Sequence, residues 1–221
     1  GCAIIDFSNQ NLTYLMPFTF KFTANVRFVD LTNNSIKSIP GYAFNGLSNL
    51  TALNLKGNRL EKIEKNAFYG LISLTSLELR SQNLFDLNDS SFNGMDSLEY
   101  LDLSKNNIAS LKNGTFYGLS KLQLLDLDYN PILIIDTEAF VGLSSLQYFT
   151  FSFNNLTQIN ELAFDKVDSM IVLKLSYNKI VDLNVSLTTN ASGFRYLDLS
   201  ENLLHAVPTK ALENLYWCSQ V

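Results

Sequence analysis

Apolar residues recur at intervals of 24 along almost the whole chain of 221 residues. When Cys2 is taken as position 1, positions 1, 4, 6 and 11 are apolar in nine successive units. The units begin at residues 2, 26, 50, 74, 98, 122, 146, 170 and 194. Because a unit this short cannot bury its own apolar face, neighbouring units must share one core. We therefore expect residues 1–221 to form a single domain of nine stacked coils.

The apolar residues at positions 4 and 6 predict a short strand with one buried face, as at Leu101 and Leu103. Side chains alternate between the two faces of a strand, so Asp102 between them points the other way. Stacking of equal units places these strands side by side in one parallel sheet. The outward face of that sheet then carries positions 2, 3, 5, 7 and 8.

Position 9 is asparagine in seven units, and glutamine replaces it at Gln10 and Gln82. A buried amide can donate to and accept from backbone groups that turn away from water where the chain leaves each strand. We expect a local distortion at Gln10 and at Gln82, because the glutamine side chain is one methylene longer. The predicted asparagine ladder consists of Asn34, Asn58, Asn106, Asn130, Asn154, Asn178 and Asn202.

Position 19 is phenylalanine in seven units, from Phe20 to Phe164, and predicts a second core layer opposite the strands. Glycine at position 21 in five units, such as Gly46, allows a tight turn there. Extended strands pack closely on one side, whereas a wider irregular segment fills the other. We therefore expect the stack to curve, with the sheet on its concave face.

The segment Leu98–Ile108, LEYLDLSKNNI, has the pattern L-x-x-L-x-L-x-x-N-x-L and resembles the leucine-rich repeat. The unit length and the F-x-G-L motif resemble the typical subtype of Toll-like receptor ectodomains, variable lymphocyte receptors, and extracellular adhesion or matrix proteins. This resemblance implies an α/β right-handed solenoid with irregular or 3₁₀ segments on the convex face. It also implies that the chain is not an enzyme and recognises a macromolecule or microbial product on the concave face.

Net charge and sequence motifs limit the type of partner and the cellular compartment that we expect. A formal net charge of -5 with no basic run argues against nucleic acid or an anionic membrane as the partner. No apolar run approaches the ~18 residues of a membrane-spanning helix. Eight N-x-[ST] motifs, together with the resemblance, predict a glycosylated secreted protein or cell-surface ectodomain. The acceptors are Asn11, Asn33, Asn49, Asn88, Asn113, Asn155, Asn184 and Asn190.

Units five to nine carry aromatic and charged residues at outward positions of the predicted sheet. Tyrosine offers rigid apolar area with a polar tip, so we predict a ligand-binding surface that suits a partner with basic and apolar features. An alternative stays open, in which aspartate at position 5 is ordinary repeat filler and the tyrosines only cover the sheet. The candidates are Tyr100, Asp102, Asp126, Asp128, Tyr129, Tyr148, Phe153, Lys174, Tyr177 and Tyr196.

Catalytic and metal chemistry find little support. His205 is the single histidine, and Cys2 and Cys218 lie at opposite ends of the stack, too far apart for a disulfide within one chain. Asp126 and Asp128 share a strand face but fit solvated repeat positions.

We predict no cofactor and no metal site, and a protein or microbial ligand as partner, with innate immune sensing as the function. Adhesion or matrix assembly is the alternative, and uncovered core edges would allow a homodimer.

Overall fold

The computed structural model describes residues 3–87, 91–164, 167–187 and 193–213. Four positions discussed above, Cys2, Asn88, Asn190 and Cys218, lie outside these residues. Within them the chain winds into a solenoid, and each coil contributes one strand to a nine-stranded parallel sheet. The strands are β1 (Ala3–Asp6), β2 (Val26–Asp30), β4 (Ala52–Asn54), β6 (Ser76–Glu78), β7 (Tyr100–Asp102), β9 (Leu124–Asp126), β11 (Tyr148–Thr150), β12 (Val172–Lys174) and β13 (Tyr196–Asp198).

The strands lie in chain order, and paired residues are 24 apart, as for Leu101 between Leu77 and Leu125, except that Ala3 at the start of β1 pairs with Val26. This constant register confirms the predicted α/β solenoid with a parallel sheet. It also means that residues at the same repeat position form straight columns across the sheet. A column of functional side chains can therefore be built by repeating one residue type every 24 residues.

The predicted inward positions of the strands form the core. Leu101 and Leu103 are fully buried, and the equivalent residues from the second to the eighth unit are buried as well. At the two outer strands the core is less covered, since Phe7 is 43% exposed and Leu197 is only partly buried. Burial depends on a neighbouring coil on each side, and among the described strands β1 and β13 have one neighbour each.

Successive turns form the side of each coil opposite the sheet. Backbone N–H groups there donate to the carbonyl three residues earlier, as from Asn45 to Tyr42 and from Leu47 to Phe44. The phenylalanines at position 19 stack along the solenoid, with ring centroids 5.5–6.5 Å apart from Phe20 to Phe164. Gly46 has a φ of 109°, and a Cβ at this residue would lie 2.3 Å from the Phe20 carbonyl oxygen. A side chain there would clash with the preceding coil.

Asparagine side chains at position 9 link each coil to the one before it. The Asn106 amide donates to the carbonyls of Leu79 and Leu103, both at 2.9 Å, and its Oδ1 accepts from the Leu84 N–H at 3.1 Å. Each of the other six asparagines makes the equivalent three bonds, two with the preceding coil and one within its own coil. Each asparagine thus satisfies backbone groups that would otherwise be buried without partners.

Gln82 keeps the bonds to the preceding coil but changes the bond within its own. Its amide donates to the Leu55 carbonyl at 2.6 Å, and its Oε1 accepts from the Leu60 N–H at 3.1 Å. A second donor bond goes to the Arg80 carbonyl at 3.4 Å, a long bond that most of the asparagines also form, but Gln82 lacks their bond to the carbonyl three residues earlier. The extra methylene therefore leaves one weak hydrogen bond in the fourth coil.

Short strands also form on the flank of the solenoid between the sheet and the turns. They are β3 (Ser38–Ile39), which pairs with β5 (Lys62–Ile63), and β8 (Ser110–Leu111), which pairs with β10 (Ile134–Ile135). One helix of four residues, α1 (Thr209–Leu212), closes the described part of the chain. Within that part, no helix has the length and apolar character needed to cross a bilayer.

Candidate functional site

The outward face of the sheet brings the predicted candidates together in units five to nine. Tyr148 and Tyr196 lie two strands apart at position 3, and both side chains are exposed. Lys174 is exposed at position 5 of the eighth unit, between them. Tyr100 is half-buried at position 3 of the fifth unit. The constant register thus gathers residues that are up to 96 positions apart in sequence onto one surface.

Three aromatic residues at position 8 form a continuous stack along the edge where the chain leaves the sheet. The rings of Tyr129 and Phe153 have centroids 4.2 Å apart and planes 6° from parallel. Phe153 and Tyr177 stack at 4.3 Å and 8°. The side chains remain 48%, 39% and 49% exposed in chain order. We call Tyr129, Phe153 and Tyr177 the aromatic column.

A cation covers the first ring of the aromatic column. Lys105 occupies position 8 of the fifth unit, and its Nζ lies 5.4 Å from the centroid of the Tyr129 ring. An ammonium group at this distance is attracted to the negative face of the ring. Lys105 was not among the sequence candidates, although its position in the repeat places it in line with the three aromatic residues.

The backbone at position 8 is left-handed in every unit. Glycine and asparagine adopt this conformation readily, whereas it is strained for aromatic and long side chains. The residues and φ values are Asn9 56°, Asn33 53°, Gly57 70°, Ser81 58°, Lys105 56°, Tyr129 58°, Phe153 58°, Tyr177 54° and Glu201 53°. Aromatic residues therefore occupy a position where their backbone conformation is unfavourable, which points to a role for their side chains.

Two carboxylates lie beside the aromatic column in the sixth unit. Asp126 Oδ1 accepts from the Asp128 N–H at 2.9 Å and from the Thr150 hydroxyl at 3.0 Å. Asp128 Oδ1 accepts from the Ser152 N–H at 2.6 Å, which joins the sixth coil to the seventh. Both side chains therefore hold neighbouring backbone in place, in addition to presenting negative charge.

Partial burial makes these carboxylates reluctant to ionise. Burial is the main cause that raises the pKa of Asp128 to about 6, and the negative charge of Asp126 adds to it. Burial also raises the pKa of Asp126, and the charge of Asp102 adds to this shift. Hydrogen bonds from Ser152 and Thr150, and the positive charge of Lys174, act in the opposite direction on Asp128.

Asp102 contributes charge to the site but little accessible surface. Its side chain is buried, with Oδ1 accepting from the Ser104 N–H at 2.8 Å and from the Ser104 hydroxyl at 2.6 Å. The Arg80 guanidinium lies 3.9 Å from Asp102 Oδ2 and donates to the Ser104 hydroxyl at 2.9 Å. Burial, with the charges of Asp102, Glu78 and Asp126, raises the pKa of Tyr100 to about 12. Tyr100 thus stays protonated and can donate a hydrogen bond.

The bond from the position 5 carboxylate to the N–H two residues later is a repeated turn motif. It occurs at Asp6, Asp30, Asp102, Asp126 and Asp198, and Asn54 forms it with its amide oxygen. Aspartate favours such turns because its short side chain reaches the backbone. The alternative of aspartate as a structural element of the repeat therefore has a concrete basis, and the aromatic column is the stronger sign of function.

The potential glycan acceptors are accessible at most described positions. Asn11, Asn33, Asn49, Asn113 and Asn184 are exposed, and Asn155 is partly buried. Among these described acceptors, none occupies positions 2 to 8 in units five to nine. The acceptor nearest in sequence to the aromatic column is Asn155, two residues after Phe153.

The described residues include no group of three or more histidine, cysteine, aspartate or glutamate side chains placed to hold a metal ion. Asp126 and Asp128 are engaged with Thr150 and Ser152, as described above. The surface around these carboxylates presents aromatic rings, hydroxyl groups and carboxylates.

Comparison with known proteins identifies the family. Three overlapping segments, residues 13–130, 39–171 and 109–216, match the BspA type leucine-rich repeat region. The chain therefore belongs to the leucine-rich repeat proteins, whose solenoid is an interaction scaffold and is not typically enzymatic. No curated protein sequence matches it.

Solved structures of receptor ectodomains have a similar fold. The crystal structure of the TLR13–ssRNA13 complex has a TM-score of 0.80 and 25% identity, over 96% of this chain and 38% of that chain. The Toll–Spatzle complex of Drosophila, in its glycosylated form, has a TM-score of 0.75 and 21% identity, over 90% of this chain and 32% of that chain. A second structure of this complex has a TM-score of 0.70 and 18% identity, over 91% and 35%.

These comparisons support the predicted resemblance to Toll-like receptor ectodomains. This chain spans between about a third and two fifths of the length of the structures it matches. The first of them contains single-stranded RNA, so the expectation that nucleic acid is excluded as a partner has no support here. The similarity to the Toll structures is a similarity of fold alone.

Proposed function

We propose that this chain is part of an extracellular pattern-recognition receptor and binds a protein or microbial ligand on the outward face of its sheet. Innate immune sensing is the proposed role, and secretion or display at the cell surface is the proposed location. The binding surface consists of the aromatic column with Asp126, Asp128 and Lys174 beside it. Tyr100, Tyr148 and Tyr196 extend this surface, and Asp102 adds charge beneath it.

The aromatic column is the observation that carries this proposal. Three stacked rings remain about half exposed, on a backbone that is strained for such residues. Covering the sheet would not require aromatic residues at this position, because Gly57 and Ser81 occupy it in the third and fourth units. Exposed, rigid aromatic side chains are the residues that most often dominate binding energies at protein interfaces.

The arrangement of the surrounding groups also supports the proposal. The carboxylates of Asp126 and Asp128 are close to the aromatic column and favour a partner with basic groups. None of the described glycan acceptors occupies positions 2 to 8 in units five to nine. The receptor ectodomains of similar fold are described with an RNA and with a protein partner, so a macromolecular ligand suits the scaffold.

A binding screen with matched variants tests the proposal. The immobilised chain is offered microbial cell-wall products, single-stranded RNA and extracellular matrix proteins, and binding is measured by surface plasmon resonance. We expect a hit whose affinity falls at least tenfold when Tyr129, Phe153 and Tyr177 are all replaced by alanine, since hot-spot aromatic residues each contribute about 2 kcal/mol or more.

The control is a second triple variant, with Tyr14, Tyr69 and Tyr117 replaced by alanine. These tyrosines are exposed but lie outside the main sheet. Equal loss in both variants, or no loss in the first, would contradict the proposed surface. A hit among the matrix proteins alone would favour adhesion or matrix assembly over immune sensing.

A further inference from the structure

The aromatic column ends differently on its two sides. On the side of Tyr129, the chain's own Lys105 covers the outer ring face. On the other side, the next residue at position 8 is Glu201, which has the same left-handed backbone as the residues of the column. Glu201 is exposed, and no described basic group lies within ion-pair distance of its carboxylate.

Backbone hydrogen bonds show that Glu201 continues the column in register. The Phe153 N–H donates to the Ser176 carbonyl, and the Tyr177 N–H donates to the Ser200 carbonyl, both at 3.1 Å. Glu201 is therefore related to Tyr177 by the same 24-residue register that relates Tyr177 to Phe153. One face of the Tyr177 ring packs on Phe153, and among the described residues no aromatic ring of the ninth coil continues the stack.

We propose that Tyr177 and Glu201 together form a seat for one arginine side chain of a protein ligand. The Tyr177 side chain is 49% exposed, so its ring attracts a cation, and the exposed carboxylate of Glu201 neutralises this cation and accepts its hydrogen bonds. A planar guanidinium suits this place, because it stacks on the ring while its edge faces the carboxylate. The ligand cation would pack on the ring of Tyr177 as Lys105 packs on the ring of Tyr129 at the other end of the column.

This inference rests on the proposed binding surface and adds the chemistry that one part of it recognises. Glu201 is a long, flexible side chain and can move aside to admit the guanidinium. The charge of Lys174 lies at position 5 of the eighth unit, on the strand, whereas the seat lies at position 8, at the edge of the sheet.

A titration with N-acetyl-arginine amide tests the seat directly. The chain is labelled with ¹³C in its tyrosine rings, and the Tyr177 signal is assigned from its loss in Tyr177→Phe. We expect a saturable chemical-shift change at Tyr177 in the tens-of-millimolar range or above, because one small exposed contact binds weakly. N-acetyl-citrulline amide, which has the same shape without the charge, should cause a much smaller change.

Variants separate the seat from general attraction to an acidic protein. Glu201→Gln should weaken arginine binding about two- to fivefold, whereas Glu138→Gln, at an exposed glutamate outside the main sheet, should not change it. The signal of Tyr117, exposed outside that sheet, should not shift. Equal shifts at Tyr177 and Tyr117, equal effects of arginine and citrulline, or unchanged binding in Glu201→Gln would overturn the inference.

The outcome is distinguishable from failure of the proposed function. If a ligand found in the screen loses affinity in the triple alanine variant but binds Glu201→Gln like the wild type, the binding surface stands and the arginine seat is wrong. If the triple alanine variant also binds normally, the proposed surface itself is wrong.

Discussion

Tyr129 and Phe153 stack with their ring centroids 4.2 Å apart, although the backbone φ of each is 58°. A left-handed backbone costs a residue other than glycine roughly 1–2 kcal/mol. A stacked aromatic pair contributes about 0.5–1.5 kcal/mol beyond its burial. The two effects are similar in size, so stacking within the aromatic column offsets much of the strain that its position imposes.

Glycine substitutions at position 8 separate strain from stacking. Ser81 has a φ of 58° and no aromatic neighbour in the column, so Ser81→Gly should raise the free energy of unfolding by a few tenths to about 1 kcal/mol. Phe153→Gly relieves the same strain but removes the two stacking contacts that Phe153 makes with Tyr129 and Tyr177. It should therefore lower the free energy of unfolding by about 1–2 kcal/mol. Urea unfolding followed by circular dichroism measures both. Stabilisation by both substitutions would show that stacking contributes nothing.

Removal of one asparagine side chain from the ladder should destabilise the chain. Asn106→Ala leaves the carbonyls of Leu79 and Leu103 and the N–H of Leu84 without this partner in a buried place. We expect a loss of about 1–3 kcal/mol in the free energy of unfolding, measured by urea unfolding. Asn107→Ala, at the exposed neighbouring residue, is the control and should change stability by less than about 0.5 kcal/mol. Similar losses in both variants would argue against the hydrogen-bonding role.

The fourth coil offers the opposite test. Gln82→Asn restores the side-chain length of the other coils and should add a bond to the Leu79 carbonyl beside the long bond to the Arg80 carbonyl. A gain of about 0.5–1 kcal/mol follows from one added hydrogen bond. The midpoint of thermal unfolding is a suitable measure. A lower midpoint would show that the local backbone has adapted to glutamine and no longer accommodates asparagine.

The raised pKa of Asp128 predicts a pH dependence of stability. Its carboxyl has a pKa of about 6 in the folded chain and an ordinary value of 3.8, so between these pH values the folded state binds the proton more tightly. Stability from this group is therefore lost as the pH rises from about 4 to about 6. Asp128→Asn keeps an acceptor for the Ser152 N–H without the buried charge, so its melting temperature should exceed that of the wild type more at pH 7 than at pH 4.

Asp128→Ala serves as the control for this effect. It removes the partner of the buried Ser152 N–H and should melt below Asp128→Asn at every pH. Parallel pH profiles for the wild type and Asp128→Asn between pH 4 and 7 would contradict the raised pKa.

The repeat period predicts most of the fold because each coil contains its own core residues in fixed places. The repeat spacing alone predicts the burial of Leu101, Leu103 and Phe116. The left-handed backbone at position 8 is harder to foresee, since only Asn9, Asn33 and Gly57 carry its usual sequence signal. The Asp128 pKa and the cover of Tyr129 by Lys105 depend on how closely adjacent coils approach, and sequence does not give that distance.

The candidate surface was predictable in position but not in internal order. Sequence periodicity places Tyr129, Phe153 and Tyr177 in one column, yet their face-to-face stacking emerges only from side-chain geometry. Asp102 shows the reverse, because a residue that the sequence places on the open face is covered by Arg80 and Ser104.

Because each amide of the asparagine ladder reaches only the coil before it, mechanical load on the chain would pass through one junction at a time. A molecule pulled by its two ends should lengthen in discrete events, each freeing 24 residues and so roughly 80 Å of extended chain. A sensor built this way would yield locally to a tug on its ligand while its remaining coils stayed wound.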